Sequence, residues 1–120
     1  MDLQTRLEIL YSTGIISKET REVVLNVIKM FQEKYQIMLT EENGAMMTMH
    51  LSMAITRVKK NEAVKIIDEE VYKEVLESEF FEKSEEIYID LERVLDIKLP
   101  EDEKKYMLAN ICTILDIIND

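Results

Sequence analysis

Met46-Met47-Thr48-Met49-His50-Leu51-Ser52-Met53-Ala54-Ile55-Thr56-Arg57 is a methionine-rich run with no glycine or proline to break a helix. It holds the only histidine of the chain, with an arginine seven residues on. Seven residues are close to two helical turns, so His50 and Arg57 lie on roughly the same side of one helix, about 10 Å apart. Any chemistry in this chain is expected to centre here.

Upstream, Thr40 is the natural N-cap, and Glu41 and Glu42 favour the positive end of the helix dipole. The helix is expected to run to about Lys60. Asn43-Gly44 suits a loop or first turn better than a helix interior, which leaves a later start open. Further back, Leu3, Leu7 and Leu10 give a short amphipathic helix, Leu3 to Ser12, that stops at Gly14. Ser17 then caps a second helix, about Lys18 to Gln36, with Val24, Val27, Ile28, Phe31 and Tyr35 at three- and four-residue intervals.

Downstream, Asp68 stands as an N-cap, with Ile67 and Tyr72 placed as a hydrophobic staple. Val71, Val75, Phe80, Phe81, Ile87, Leu91 and Leu95 carry the apolar pattern to about Asp96, with a break expected near Ser78 to Ser84. Leu99-Pro100-Glu101-Asp102-Glu103 is the clearest punctuation in the chain. Proline is pre-organised for a first turn and the acids suit the dipole, so a last helix is expected from about Pro100 to Ile118. Its inward residues should be Tyr106, Met107, Ile111, Ile114, Leu115 and Ile118. The expected architecture is all-α, a compact bundle of about five helices in a single domain.

Composition agrees with this. Of the 120 residues 47% are hydrophobic and 33% charged, with only two glycines and one proline, too few for the turns of a β-protein. A formal charge of −10 would repel a phosphate backbone, so direct nucleic-acid binding is not expected. Cys112, the one cysteine, lies in an apolar run and reads as a buried, inert thiol. No apolar run approaches the roughly 20 residues of a membrane span, and Met1-Asp2 lacks the basic start of a signal peptide. A cytoplasmic protein is expected, without membrane contact.

Several chemistries lack their residues. Gly14 and Gly44 are too far apart for a nucleotide-binding loop, and one histidine and one cysteine do not make a zinc site. Met47 stands where a di-iron Glu-x-x-His motif needs its glutamate. No catalytic triad can be assembled, no cofactor or metal is expected, and enzymatic activity is not anticipated. A small-ligand enzyme with His50 as general base is the weakest alternative.

His50 itself reads two ways. It is either a partly buried imidazole bonded to the backbone, or a nucleophile whose ordinary pKa, near physiological pH, needs no strong base to activate it. In the second case Arg57 could donate to phosphate oxygens. Met46, Met47, Met49 and Met53 read either as core or as an adaptable apolar surface.

His50-Leu51, followed by Ala54-Ile55 and Arg57, resembles the "HL..ai.R" signature of the PTS regulation domain, a helical module through which the sugar phosphotransferase system controls transcription factors. Leu99-Pro100-Glu101-Asp102-Glu103 with Tyr106-Met107 resembles its second signature, "LP.dE..yl". The resemblance covers nearly the whole chain. It implies a five-helix bundle, usually dimeric, whose histidines take phosphoryl groups from the phosphocarrier protein or from a sugar-transporter phosphodonor component, and whose packing then changes.

On that resemblance His50 is the phosphoacceptor and Arg57 the arginine that supports it. The second histidine of the family falls on Asn110, which is no phosphoryl acceptor but could hydrogen-bond to His50 or to a phosphate on it. No attached nucleic-acid-binding domain is expected within these 120 residues. The expected partners are a phosphodonor, a second copy of the chain, and another regulator carrying the same domain. Of the basic residues that could meet a phosphate, Arg57, Arg21, Lys59 and Lys60, only Arg57 belongs to a signature. The alternative is an interaction protein of the same fold that is never phosphorylated and dimerises or docks unmodified.

Overall fold

Four of the helices start where a side chain takes up an amide that the helix leaves unpaired. In the computed structural model, which describes residues 1–120, these are α1 (Leu3–Ser12), α2 (Lys18–Tyr35), α3 (Glu41–Lys59) and α4 (Glu69–Glu77). Asp2, Ser17, Thr40 and Asp68 accept from first-turn N–H groups in turn. Each such cap contributes about 1 kcal/mol. Two further helices, α5 (Phe81–Leu95) and α6 (Glu101–Ile118), complete an all-α chain with no strand.

The count is six where about five were expected. The extra helix comes from the anticipated break between Asp68 and Asp96, which is a full stop. Ser78 adopts extended backbone, φ −64° and ψ 139°, and its Oγ accepts from the Phe80 N–H at 3.0 Å. The chain therefore cannot continue α4 into α5. Pro100 is also one residue further out than expected, an extended N-cap rather than a helical residue.

Asn43-Gly44 lies in the first turn of α3 and does not delay it. Asn43 Oδ1 accepts from the Thr40 N–H at 2.8 Å, closing a capping box with Thr40. Gly44 is buried because the chain packs tightly there: a Cβ would stand 3.1 Å from Leu39 Cβ and 3.4 Å from Leu3 Cδ1. Gly14, at φ +80°, takes the left-handed conformation expected after α1.

α3 and α6 pack against one another, α2 lies against α3 and α5, and α5 lies against α6. α1 covers α2 and α3, and α4 rests on α5 and α6. All six contribute to one continuous apolar core, with Leu7, Phe31, Met47, Val75, Leu91 and Met107 among its members. Val71 and Ile118, expected inward, are instead exposed. α4 reaches the core through Val75, one turn beyond Val71, and Ile118 is the last residue of α6. No helix is long and apolar enough to cross a membrane.

α3 also buries polar residues, and it does so without leaving them unpaired. Thr48 Oγ1 donates to the Gly44 carbonyl, Ser52 Oγ to Thr48 O at 2.8 Å, and Thr56 Oγ1 to Ser52 O at 2.9 Å. Each hydroxyl is satisfied one turn back along its own helix. The opposite edge of α3 is then free to carry the histidine.

A carboxylate clamp around the single histidine

His50 and Arg57 do share one side of α3, as their spacing requires, and what joins them is a residue of α6. Glu103 is 1% exposed. It accepts a fork of two hydrogen bonds from Arg57, Nε to Oε2 at 2.8 Å and Nη2 to Oε1 at 3.0 Å. His50 Nε2 lies 3.4 Å from the same Oε1. Tyr106, one turn along α6, stacks on the imidazole with ring centroids 4.9 Å apart and planes at 27°. Because 50 meets 106 while 57 meets 103, α3 and α6 run antiparallel at this seam.

The clamp uses both helix ends well. Arg57 stands in the last turn of α3 and Glu103 in the first turn of α6, so each charge faces the helix pole of opposite sign. The fork geometry matches a planar guanidinium to a planar carboxylate. The Glu103 hydrogen bonds hold the Arg57 guanidinium even more firmly protonated than usual. Above the clamp the loop after α3 folds over the start of α6, leaving a cleft of about 210 Å³ lined in part by Glu62, Asp102 and Glu103. Its acids make it unsuited to an anion.

His50 is partly buried, with 22% of its side chain exposed. Burial lowers its pKa below the usual value near 6.5; Glu103 opposes that shift and Arg57 adds to it. The ring is therefore mainly neutral at pH 7. As pH falls through about 6.5 the unfolded chain takes up a proton that the folded ring resists. The unfolded state then binds more protons, and stability is lost on acidification; above that pH both states are neutral and the effect vanishes. Urea midpoints at pH 7.5 and pH 5 should fall further for the wild type than for His50→Gln. An equal fall would mean that the folded ring is as basic as the unfolded one.

The other expected residues lie apart from the histidine. Asn110 is half-buried on α6 and its Nδ2 donates to the Tyr106 carbonyl at 2.9 Å, so it makes no bond to His50. Arg21 is engaged by Glu8 at 3.2 Å and sits over the Tyr11 ring, and Lys59 reaches Thr20 Oγ1 at 3.4 Å. The methionines divide: Met47 is core, Met46 is 75% exposed, and Met49 and Met53 are intermediate. Cys112 is buried 3.0 Å from Ser84 Oγ. The side chains contain no cluster of three metal-ligating groups.

Tyr106 stands among the expected inward residues and both it and Glu103 belong to the second signature, but residue type alone does not place either beside His50. With its neighbours, Glu103 reads as a dipole-facing acid. The signal that marks it is its register: 103, 107, 111 and 114 fall on the inward face of α6.

A second polar cluster lies elsewhere, between α2 and α5. Asp90 accepts from the Tyr35 hydroxyl and from Lys34 Nζ at 2.8 Å. Those hydrogen bonds hold its carboxyl below the usual range, while burial and the facing carboxylate push the Tyr35 phenol up. It braces two helices and offers no nucleophile.

The family model that matches the chain is the PRD domain, over residues 25–111, which takes in both α3 and the first half of α6. The chain is 23% identical over 109 residues to the uncharacterized protein YhfY of Escherichia coli (strain K12), covering 91% of each. No solved structure gives a significant match.

Proposed function

Since the chain belongs to the PRD domain family, we propose that it is a regulatory module of the sugar phosphotransferase system, phosphorylated on His50 and acting through contacts with other proteins to modulate transcriptional regulation. The observation that carries this reading is the meeting of the two signatures. His50 and Arg57 of the first are joined to Glu103 and Tyr106 of the second around one partly exposed imidazole. A neutral, oriented imidazole is a competent phosphoryl acceptor. The donor is the phosphocarrier protein or a sugar-transporter component.

Phosphorylation adds about −1.5 to −2 charge, and here it does so beside a buried carboxylate. That charge alters the α3–α6 seam and the surface around Met46 and Met49, which a second copy of the chain or another regulator of the same family reads. Asn110 leaves His50 as the sole acceptor, so the response is single-step. The module receives a phosphoryl group and catalyses no reaction of its own.

The test is incubation with a reconstituted phosphotransferase relay, followed by intact-mass measurement and acid treatment. One acid-labile phosphoryl group per chain is expected, and none on His50→Ala. An unlabelled wild type, or equal label on the variant, would overturn the proposal.

The Glu103 carboxylate favours a second reading, because it repels an incoming phosphoryl group. On that reading His50 serves packing or senses pH, and the protein dimerises or docks unmodified. Light scattering before and after the relay reaction separates the two, since only the first expects the oligomeric state or partner binding to change.

A further inference from the structure

The clamp treats the two ring nitrogens of His50 differently. Nε2 faces Glu103 Oε1 at 3.4 Å, and Glu103 is itself fixed by the two bonds from Arg57. A carboxylate in this position selects the neutral tautomer that carries its proton on Nε2. Nδ1 then holds the lone pair. It has no hydrogen-bond partner, yet Arg21 Nε is the only side-chain polar atom in the protein that is both buried and unpaired. Nδ1 is therefore reached by solvent. A phosphoryl group on Nε2 would instead have to occupy the space of the Glu103 carboxylate and meet its charge.

From this geometry we infer that Nδ1 is the atom of His50 that accepts the phosphoryl group, and that Glu103 is the positioning residue that makes it so. The inference deepens the phosphoacceptor reading and rests on it for its biological meaning. The Nδ1 lone pair forms the new N–P bond as the donor's bond to phosphorus breaks, and that electron pair leaves on the donor atom. The Nε2 proton stays where it is. The product ring is thus an imidazolium facing a carboxylate, and the pair offsets part of the charge that the phosphoryl group brings. Tyr106 stacks on the face of the ring and fixes its plane, while the contact with Glu103 keeps Nε2 turned inward.

The experiment uses protein labelled with 15N in histidine and needs no relay. Long-range proton–nitrogen correlation spectra at pH 8 should show the tautomer protonated on Nε2. Phosphoramidate, whose leaving group is ammonia, should then place phosphorus on Nδ1 and leave Nε2 unmodified throughout the time course. Glu103→Gln, which can either donate to or accept from Nε2, should give a mixture of tautomers and label on both nitrogens.

A proton on Nδ1, phosphorus on Nε2 of the wild type, or no label at all from phosphoramidate overturns the inference. So does a Glu103→Gln variant indistinguishable from the wild type. If that variant fails to fold, the wild-type spectra still identify the nitrogen. Failure of the relay to label a protein that phosphoramidate does label on Nδ1 counts against the proposed function and leaves this inference standing.

Discussion

Replacing Arg57 by alanine is expected to destabilise the protein by about 3–5 kcal/mol, the cost of leaving a buried ion without its partner. The carboxylate left behind is 1% exposed and would retain only a neutral imidazole at 3.4 Å. The reverse substitution, Glu103→Ala, should cost less, because 23% of the Arg57 side chain already reaches the surface and the freed guanidinium can turn to water. Removing both charges with apolar residues of similar volume, Arg57→Met with Glu103→Leu, should recover most of the loss, since an intact buried pair contributes little net stability. Urea unfolding of the wild type, the two alanine variants and the Arg57→Ala, Glu103→Ala double variant completes a double-mutant cycle. If the two single substitutions prove additive, the fork does not act as a unit and the clamp is misdescribed.

Met47→Ala is the second large effect, about 2–5 kcal/mol. Met47 is 1% exposed within the central core cluster, so truncation removes several methylene-sized groups and leaves a cavity that helices held at both flanks close only in part. Its neighbour supplies the control. Met46 is 75% exposed, and Met46→Ala should change stability by less than about 0.5 kcal/mol. Thermal and urea melts of the two variants check this directly. Similar losses at both positions would mean that the exposed face of α3 is covered in solution, as a dimer would cover it.

Those two methionines show where the sequence was readable and where it was not. Helix starts were legible because Ser17, Thr40 and Asp68 are local devices, acting on amides three residues away or fewer. Gly14 and Pro100 mark ends for equally local reasons. Which face of α3 turns inward was harder, because methionine is at home in a core and on an adaptable surface. Only the packing of the other helices on α3 decides that Met47 is buried and Met46 is not. The break at Ser78 was visible as a shift of the apolar stripe, although whether it made a bend or a new helix depended on backbone angles.

The candidate site divided along the same line. The His50–Arg57 spacing predicted a shared helix side, and the structure shows it. Arg57, however, spends its fork on Glu103, a contact across 46 residues of chain. Charged residues are rarely buried, so an acid that closes an acidic run and precedes two lysines reads as solvated by default. Asp90 is hidden in the sequence for the same reason, its partner Tyr35 being 55 residues away. In both cases the missing information was which helices become neighbours.

The antiparallel seam between α3 and α6 has a consequence for how the protein is made. His50 is synthesised early, whereas Glu103 and Tyr106 lie on the last helix of this sequence, so a growing chain carries the histidine well before its clamp exists. Contacts so distant in sequence form only after the intervening helices have been ordered. An imidazole on an incomplete chain has no fixed tautomer, no stacked ring and no paired carboxylate beside it. The surroundings of His50 are therefore assembled only with the docking of α6, the last of the helices that meet it to be made.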